Sequence, residues 1–131
     1  MESELTKDIL KARTKALALR VIQLVEALPK NKTTEVIGRQ LIRCGCSVGA
    51  NYRAACRAKS HADFINKMGI VEEEADEVLY WLELLVDSKY LTVEHSFPLA
   101  KEMNEILSMT VASIKTARQH LTPKSEIRNP K

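Results

Sequence analysis

Five carboxylates lie close enough together in the chain to bind a pair of metal ions: Glu72, Glu73, Glu74, Asp76 and Glu77. Di-metal sites in helical bundles use a Glu-x-x-His motif on two helices and a single Glu on each of the other two. The three histidines, His61, His95 and His120, all stand outside any such motif. Most of these acids also fall away from the apolar face of their helix, so the sequence predicts no metal site.

The three cysteines, Cys44, Cys46 and Cys56, are the next candidates for chemistry. On a helix Cys44 and Cys46 project about 200° apart, and Cys46 and Cys56 lie about 15 Å apart along the axis. Neither pair can form a disulfide, and no Cys-x-x-Cys motif accompanies them to bind zinc. Glycine-rich phosphate loops are missing too. We therefore predict a cytoplasmic protein with reduced thiols, no cofactor and no catalytic residues, and thus not an enzyme.

Basic residues carry the remaining chemistry. Residues 1–59 hold twelve Lys and Arg against five acids, whereas residues 60–91 hold two against eight, within a net charge of +3. On a helical wheel four arginines of the second predicted helix fall within about 80° and form a stripe about 27 Å long: Arg39, Arg43, Arg53 and Arg57. Guanidinium groups bind phosphates or carboxylates bidentately, and Lys11 and Lys15 on the first helix would extend such a surface.

Three interpretations of this arginine stripe stay open. It could be a solvated face, or it could contact acids of a neighbouring subunit in a homo-oligomer. Glu72, Asp76, Glu83 and Asp87 form a matching acidic stripe on the third helix. It could also bind nucleic acid, and because no aromatic residues interleave with the arginines, such binding would be directed to the backbone and sensitive to salt.

Four segments with helical periodicity position these residues. The apolar seam predicted for the second helix consists of Ile37, Leu41, Cys44, Val48, Asn51, Ala55 and Ala58. The seam predicted for the third consists of Phe64, Met68, Val71, Ala75, Val78, Leu82 and Leu85. The segments are separated by Pro29–Lys32, Ser60–Asp63 and Lys89–Thr92, and Ser60–Asp63 resembles a capping box that opens the third helix. Thr33 or Thr34 is predicted to cap the second helix, and Pro98 suits the first turn of the fourth. A chain of 131 residues has room for one core, so we predict an all-α, single up-down antiparallel four-helix bundle over residues 1–121. A polar flexible tail is predicted over 122–131, and no apolar run is long enough to span a membrane.

Two features of the second helix predict tight or specific packing. Gly45 and Gly49 each cost about 1 kcal/mol relative to Ala in a helix, so another helix is expected to approach them closely, either within the bundle or from a second subunit. Asn51 falls on the apolar seam, where its amide must find hydrogen-bond partners. Glu74, beside the seam of the third helix, is a candidate partner, and we expect a structural role for the pair.

The chain also resembles a known family in the runs Gln40-Leu41-Ile42-Arg43-Cys44 and Ser47-Val48-Gly49-Ala50-Asn51-Tyr52-Arg53, followed in order by Ser60, Asp63-Phe64, Glu77 and Tyr90-Leu91. These residues resemble the signature of the small four-helix bundle proteins encoded by intervening sequences in bacterial 23S ribosomal RNA genes, and the resemblance covers roughly residues 10–120. It implies a cyclic homo-oligomer, a pentamer. The chain is similar as well to the accessory protein of diversity-generating retroelements, which implies nucleic acid and a reverse transcriptase as partners. Arg43 is the arginine that matches the signature.

Overall fold

Four consecutive helices build the molecule in the computed structural model, which describes residues 2–128, with side chains through Leu121. The helices are α1 (Glu4–Glu26), α2 (Lys32–Cys56), α3 (His61–Asp87) and α4 (Val93–Arg128). Helix α2 packs against α1 and α3, α3 packs against α4, and α1 and α4 close the ring. This arrangement confirms the predicted all-α four-helix bundle. Across the described residues, no helix combines the length and apolarity needed to cross a membrane.

The core forms because apolar side chains recur at helical spacing on the inner face of each helix. Every seam residue of α3 from Phe64 to Leu85 is buried as predicted. On α2 the predicted seam is only partly buried: Leu41, Cys44, Val48 and Ala55 lie in the core, but so does Tyr52, which the pattern omitted. The predicted seam residues Ile37 and Ala58 lie at the edge of the core.

Polar side chains cap the N-terminal ends of α2 and α3. Ser60 caps α3 as predicted, because its hydroxyl accepts a hydrogen bond from the Asp63 backbone N–H. The prediction for α2 was wrong: Asn31 is the cap, and its side-chain oxygen accepts from the Thr34 backbone N–H. The Thr34 hydroxyl accepts in return from the Asn31 backbone N–H, so Thr34 is the third residue of the helix. Asparagine is at least as good a cap as threonine, which explains the shift.

Helix α4 differs from its predicted extent at both ends. It begins at Val93, where the Thr92 hydroxyl accepts from the His95 backbone N–H, so Pro98 stands in the second turn rather than the first. It also continues beyond Leu121 to Arg128. Of the predicted tail, residues 129–131 lie outside the described part of the chain, as do the side chains from 122 onward.

The turn between α3 and α4 depends on Lys89, whose backbone adopts the left-handed conformation. Lys89 has φ 72°, and the next two backbone N–H groups, of Tyr90 and Leu91, both donate to the Leu85 carbonyl. A residue with a Cβ pays about 1–2 kcal/mol in this conformation, whereas glycine adopts it freely.

Replacing Lys89 with glycine is therefore expected to raise the free energy of unfolding by about 1 kcal/mol. Urea denaturation followed by circular dichroism measures the change. Lys89→Ala is the matched control, because it removes the same side chain but keeps the Cβ, and it should leave the stability near that of the parent. Equal stability of the two variants would contradict the argument.

Candidate nucleic-acid interface

The arginine stripe of α2 is exposed, but its members differ in what they contact. Arg43 is already engaged within the chain: Nη2 donates to Glu77 Oε2 at 2.6 Å and Nη1 donates to Glu74 Oε1 at 3.2 Å. Trp81 Nε1 donates to the same Glu77 oxygen at 3.0 Å. Arg43, with help from Trp81, lowers the pKa of Glu77. Arg43 thus ties α2 to α3 and, unlike a solvated arginine, already contacts two carboxylates.

The helix glycines explain how close α1 lies to α2. A Cβ built on Gly38 would lie 2.8 Å from Val25 Cγ1, and one on Gly45 would lie 2.9 Å from Val21 Cγ1. The same construction on Gly49 gives 3.1 Å to the Thr14 hydroxyl. The two helices therefore approach within the bundle, which is the first of the two alternatives the sequence left open for Gly45 and Gly49.

These contacts also fix the register of two antiparallel helices. As the α2 number rises from Gly38 to Gly49, the α1 partner falls from Val25 to Thr14. The first half of α1 consequently lies beside the last half of α2, and the Gly49–Thr14 contact marks the level at which the two helices meet there.

Four basic residues flank the Gly49–Thr14 contact on the side away from the core. Arg53 and Arg57 follow Gly49 by one and two turns, rotated about 40° and 80° outward. Lys11 and Lys15 bracket Thr14 on α1, rotated outward by about 60° and 100°. Arg53, Arg57 and Lys15 are exposed and Lys11 is half-buried. We call these four residues the basic groove.

Among the described side chains, none of the basic-groove residues takes part in an ion pair. The structure thus brings together four of the six basic residues named from the sequence. Arg39 is exposed as well, but it lies fourteen residues before Arg53 on the same helix, about 21 Å away along the axis. The predicted single stripe is therefore divided: a basic groove at one end, Arg43 bound to α3, and Arg39 alone near the other end.

The two polar residues expected to pair in the core bond elsewhere. Asn51 is half-buried and its Nδ2 donates to the Ser47 carbonyl at 2.9 Å and to the Ser47 hydroxyl at 2.7 Å. Glu74 accepts from Arg43 instead. The Asn51 side-chain amide is therefore hydrogen-bonded within its own helix, one turn back, and it needs no partner on α3.

Two groups of long-range polar contacts were not anticipated from the sequence. Arg13 on α1 donates through Nη2 to Glu102 Oε1 at 2.7 Å and to Glu105 Oε1 at 2.8 Å on α4. Glu2 accepts hydrogen bonds from the buried Tyr52 hydroxyl and from Ser113, which joins the beginning of the chain to α2 and α4. Burial, and then Glu2, raises the pKa of Tyr52. The sequence holds one signal for the Arg13 contact: Arg13 directly precedes the core residue Thr14. It holds none for the contacts of Glu2.

The three cysteines form no disulfide with one another. All three are free thiols. Cys44 is buried, and burial is the main cause that raises its pKa to about 12. Within the described residues, no group of three or more His, Cys, Asp or Glu side chains is placed to bind a metal ion.

A comparison with known protein families identifies the family of this chain. The sequence model of the 23S rRNA-intervening sequence protein matches residues 7–112. The chain belongs to this family. No curated protein gives a significant match.

A solved structure supports the family assignment. It is a protein of unknown function from the S23 ribosomal protein family of Bacteroides thetaiotaomicron, 37% identical to this chain. The alignment covers 83% of this chain and 97% of the other, with a TM-score of 0.78. The family match includes all four residues of the basic groove, whereas the last turns of α4 lie beyond it.

Proposed function

We propose that this member of the 23S rRNA-intervening sequence protein family is a non-enzymatic module that binds the phosphate backbone of nucleic acid at the basic groove. The observation that carries the proposal is that exposed Lys15, Arg53 and Arg57 and half-buried Lys11 lie along one side of the α1–α2 contact. Among the described side chains, none of the four has a carboxylate partner. Phosphate neutralisation by Lys and Arg is the main source of affinity in sequence-independent binding.

The surroundings of the basic groove favour backbone contacts over base readout. Cys46 and Ala50, on the same outer face of α2, are small, so a duplex can approach the helix surface without meeting large side chains. Arginine forks suit phosphate oxygens. No aromatic side chain stands among the four residues to stack on an unpaired base.

A binding assay tests the proposal directly. Fluorescence anisotropy with duplex and single-stranded probes, of DNA and of RNA, is measured between 50 and 300 mM salt. For the parent protein we expect the logarithm of the association constant to fall steeply with the logarithm of salt concentration. Replacing Arg53 and Arg57 with glutamine should weaken binding about tenfold or more and reduce the salt slope by roughly two.

The matched control is the double variant Lys101→Gln/Lys115→Gln, which removes the same charge from exposed positions on α4. It should retain the parent affinity and slope. A response to salt that is flat, or an equal loss in the two double variants, would overturn the proposal.

An exposed apolar row on α1 favours a second candidate function, a structural adaptor that forms homo-oligomers. Leu5, Ile9 and Leu19 are 70%, 48% and 53% exposed and share one outer face of α1, beside the basic groove. In this alternative the arginines would contact acids of a neighbouring subunit. Light scattering separates the two functions, because only in the second would Arg53→Gln/Arg57→Gln reduce the molar mass of the assembly.

A further inference from the structure

The outer surface between α3 and α4 carries a second feature, on the part of the bundle away from the α1–α2 contact. Here the two helices border a groove of about 590 Å³. Three large apolar side chains at its margin are more than half exposed: Tyr80 at 52%, Val93 at 62% and Phe97 at 58%. Half-buried Leu79 and Val86 line it as well.

Within the part of the chain that the structure describes, nothing covers the apolar margins of this groove. Tyr80, Val93 and Phe97 lie together at one groove, apart from the exposed apolar row of α1, whereas most large apolar side chains of α3 are buried. Phe97 and Ala100 also line a neighbouring depression of about 560 Å³ on the α1 side of α4. The rest of that depression is lined mostly by polar residues, with Arg13, Lys101, Asn104 and Glu105 among them. The exposed apolar surface is therefore concentrated in the α3–α4 groove, as expected for a surface that receives a partner.

The same groove is lined by acids of one side of α3. Asp76, Glu83 and Asp87 border it, at spacings of seven and four residues that keep them on one helix face. Within the described side chains none of the three is in an ion pair, and no Lys or Arg lines this groove. A row of unpaired carboxylates repels phosphate, so this surface does not extend the basic groove to nucleic acid.

We propose that the α3–α4 groove docks one basic amphipathic helix of a protein partner. The exposed aromatic and branched side chains would contact apolar residues recurring at i, i+3, i+4 and i+7 on that helix, which is the general mode of helix recognition by a groove. Charge complementarity with the three acids selects Lys or Arg on the flanks of the same helix. From Asp76 to Asp87 the groove is about 16 Å long, which accommodates about three turns.

The probe is a synthetic, fluorescently labelled 14-residue peptide of leucine and lysine, with leucine at positions 1, 4, 5, 8, 11 and 12. Two further peptides serve as comparisons: one has glutamate in place of every lysine, and one is a scramble of the first. Anisotropy at 150 mM salt should show saturable binding of the Leu/Lys peptide. Binding of the other two should be at least tenfold weaker.

Two variants locate the bound peptide on the protein. Asp76→Asn/Glu83→Gln/Asp87→Asn should weaken binding tenfold or more, and so should Phe97→Ser, whose side chain is too exposed to support the core. The control Asp8→Asn/Glu26→Gln/Glu35→Gln removes equal charge from exposed positions of α1 and α2 and should bind like the parent.

Several results would overturn the proposal. Equal binding of the scrambled or Leu/Glu peptide would show that amphipathic, basic character is not recognised. Equal losses in the two triple variants would show that net charge alone attracts the peptide. A lower molar mass of Phe97→Ser in light scattering would assign the groove to a contact between copies of this chain. None of these results bears on nucleic-acid binding, which is measured with separate probes and variants.

Discussion

Replacing Gly45 with valine is expected to lower the free energy of unfolding by about 2–3 kcal/mol, and the midpoint of thermal unfolding by roughly 10 °C. Gly45 is buried, and even a single Cβ there would lie 2.9 Å from one methyl of Val21 and 3.0 Å from the other. Val21 is fully buried and β-branched, so it has little freedom to turn away. Two further methyl groups at position 45 would force α1 and α2 apart.

Gly69 offers the matched control on α3. A Cβ built there meets no atom within 4 Å, so Gly69→Ala should stabilise the protein by up to about 1 kcal/mol through helix propensity alone. Thermal and urea denaturation of the two single variants should therefore show changes of opposite sign. A stabilising effect of Gly45→Val would mean that α1 does not lie against α2 in the way the glycine contacts require.

Replacing Arg13 with methionine is expected to lower the free energy of unfolding by about 1–3 kcal/mol. The guanidinium donates to Glu102 through both Nε and Nη2, and both side chains are largely shielded, at 30% and 21% exposure. Methionine keeps most of the apolar stem but leaves the Glu102 carboxylate without its donor. Lys7→Met is the control on the same helix, because its partner Glu4 is 87% exposed and such pairs contribute little.

The same contact predicts a pH dependence. Hydrogen bonding to Arg13 is the main cause that lowers the pKa of Glu102 below its ordinary value of 4.5. A carboxylate with a lowered pKa in the folded state stabilises the protein above the unfolded pKa, and this stabilisation is lost as pH falls through the folded value. We therefore expect stability to fall below about pH 4.5, with a shallower fall in Arg13→Met.

Urea titrations between pH 7 and pH 3 measure this difference. Glu77, whose pKa Arg43 lowers in the same direction, contributes to the slope in both proteins and cancels in the comparison. Parallel pH profiles for the parent and Arg13→Met would contradict the assigned role of Arg13, as would an equal loss of stability in Lys7→Met at pH 7.

Periodicity was sufficient for the helices but not for the exact inner face of α2. The predicted seam through Asn51 is displaced from the observed core, which takes in Gly38, Gly45 and Tyr52. The cause is the close approach of α1 at the glycines: it turns the buried arc of α2 toward α1, so Tyr52 enters the core and Asn51 moves to its edge. A wheel drawn for one helix does not include the distance to its neighbour.

For the basic residues too, the sequence predicts some properties and the packing of the helices decides others. Their number, type and clustering before residue 60 follow from the sequence, and so does the exposed stripe on α2. Which of them act together does not, because that depends on contacts between helices. Arg43 and Arg13 look equivalent to Arg53 along the chain, yet carboxylates on α3 and α4 engage the first two.

The sequence by itself thus determined the four helices and the segregation of basic and acidic charge, because these depend on the spacing of residues within single elements. It also determined the antiparallel order of the helices, because the connections between them are short. Only the tertiary structure decided which charges remain free. An ion pair forms when side chains from different helices come within a few ångströms, and that distance is set by the packing register, here by Val21 and Thr14 against the glycines of α2. The register joins Lys11 and Lys15 to Arg53 and Arg57 and separates them from the acids of α3.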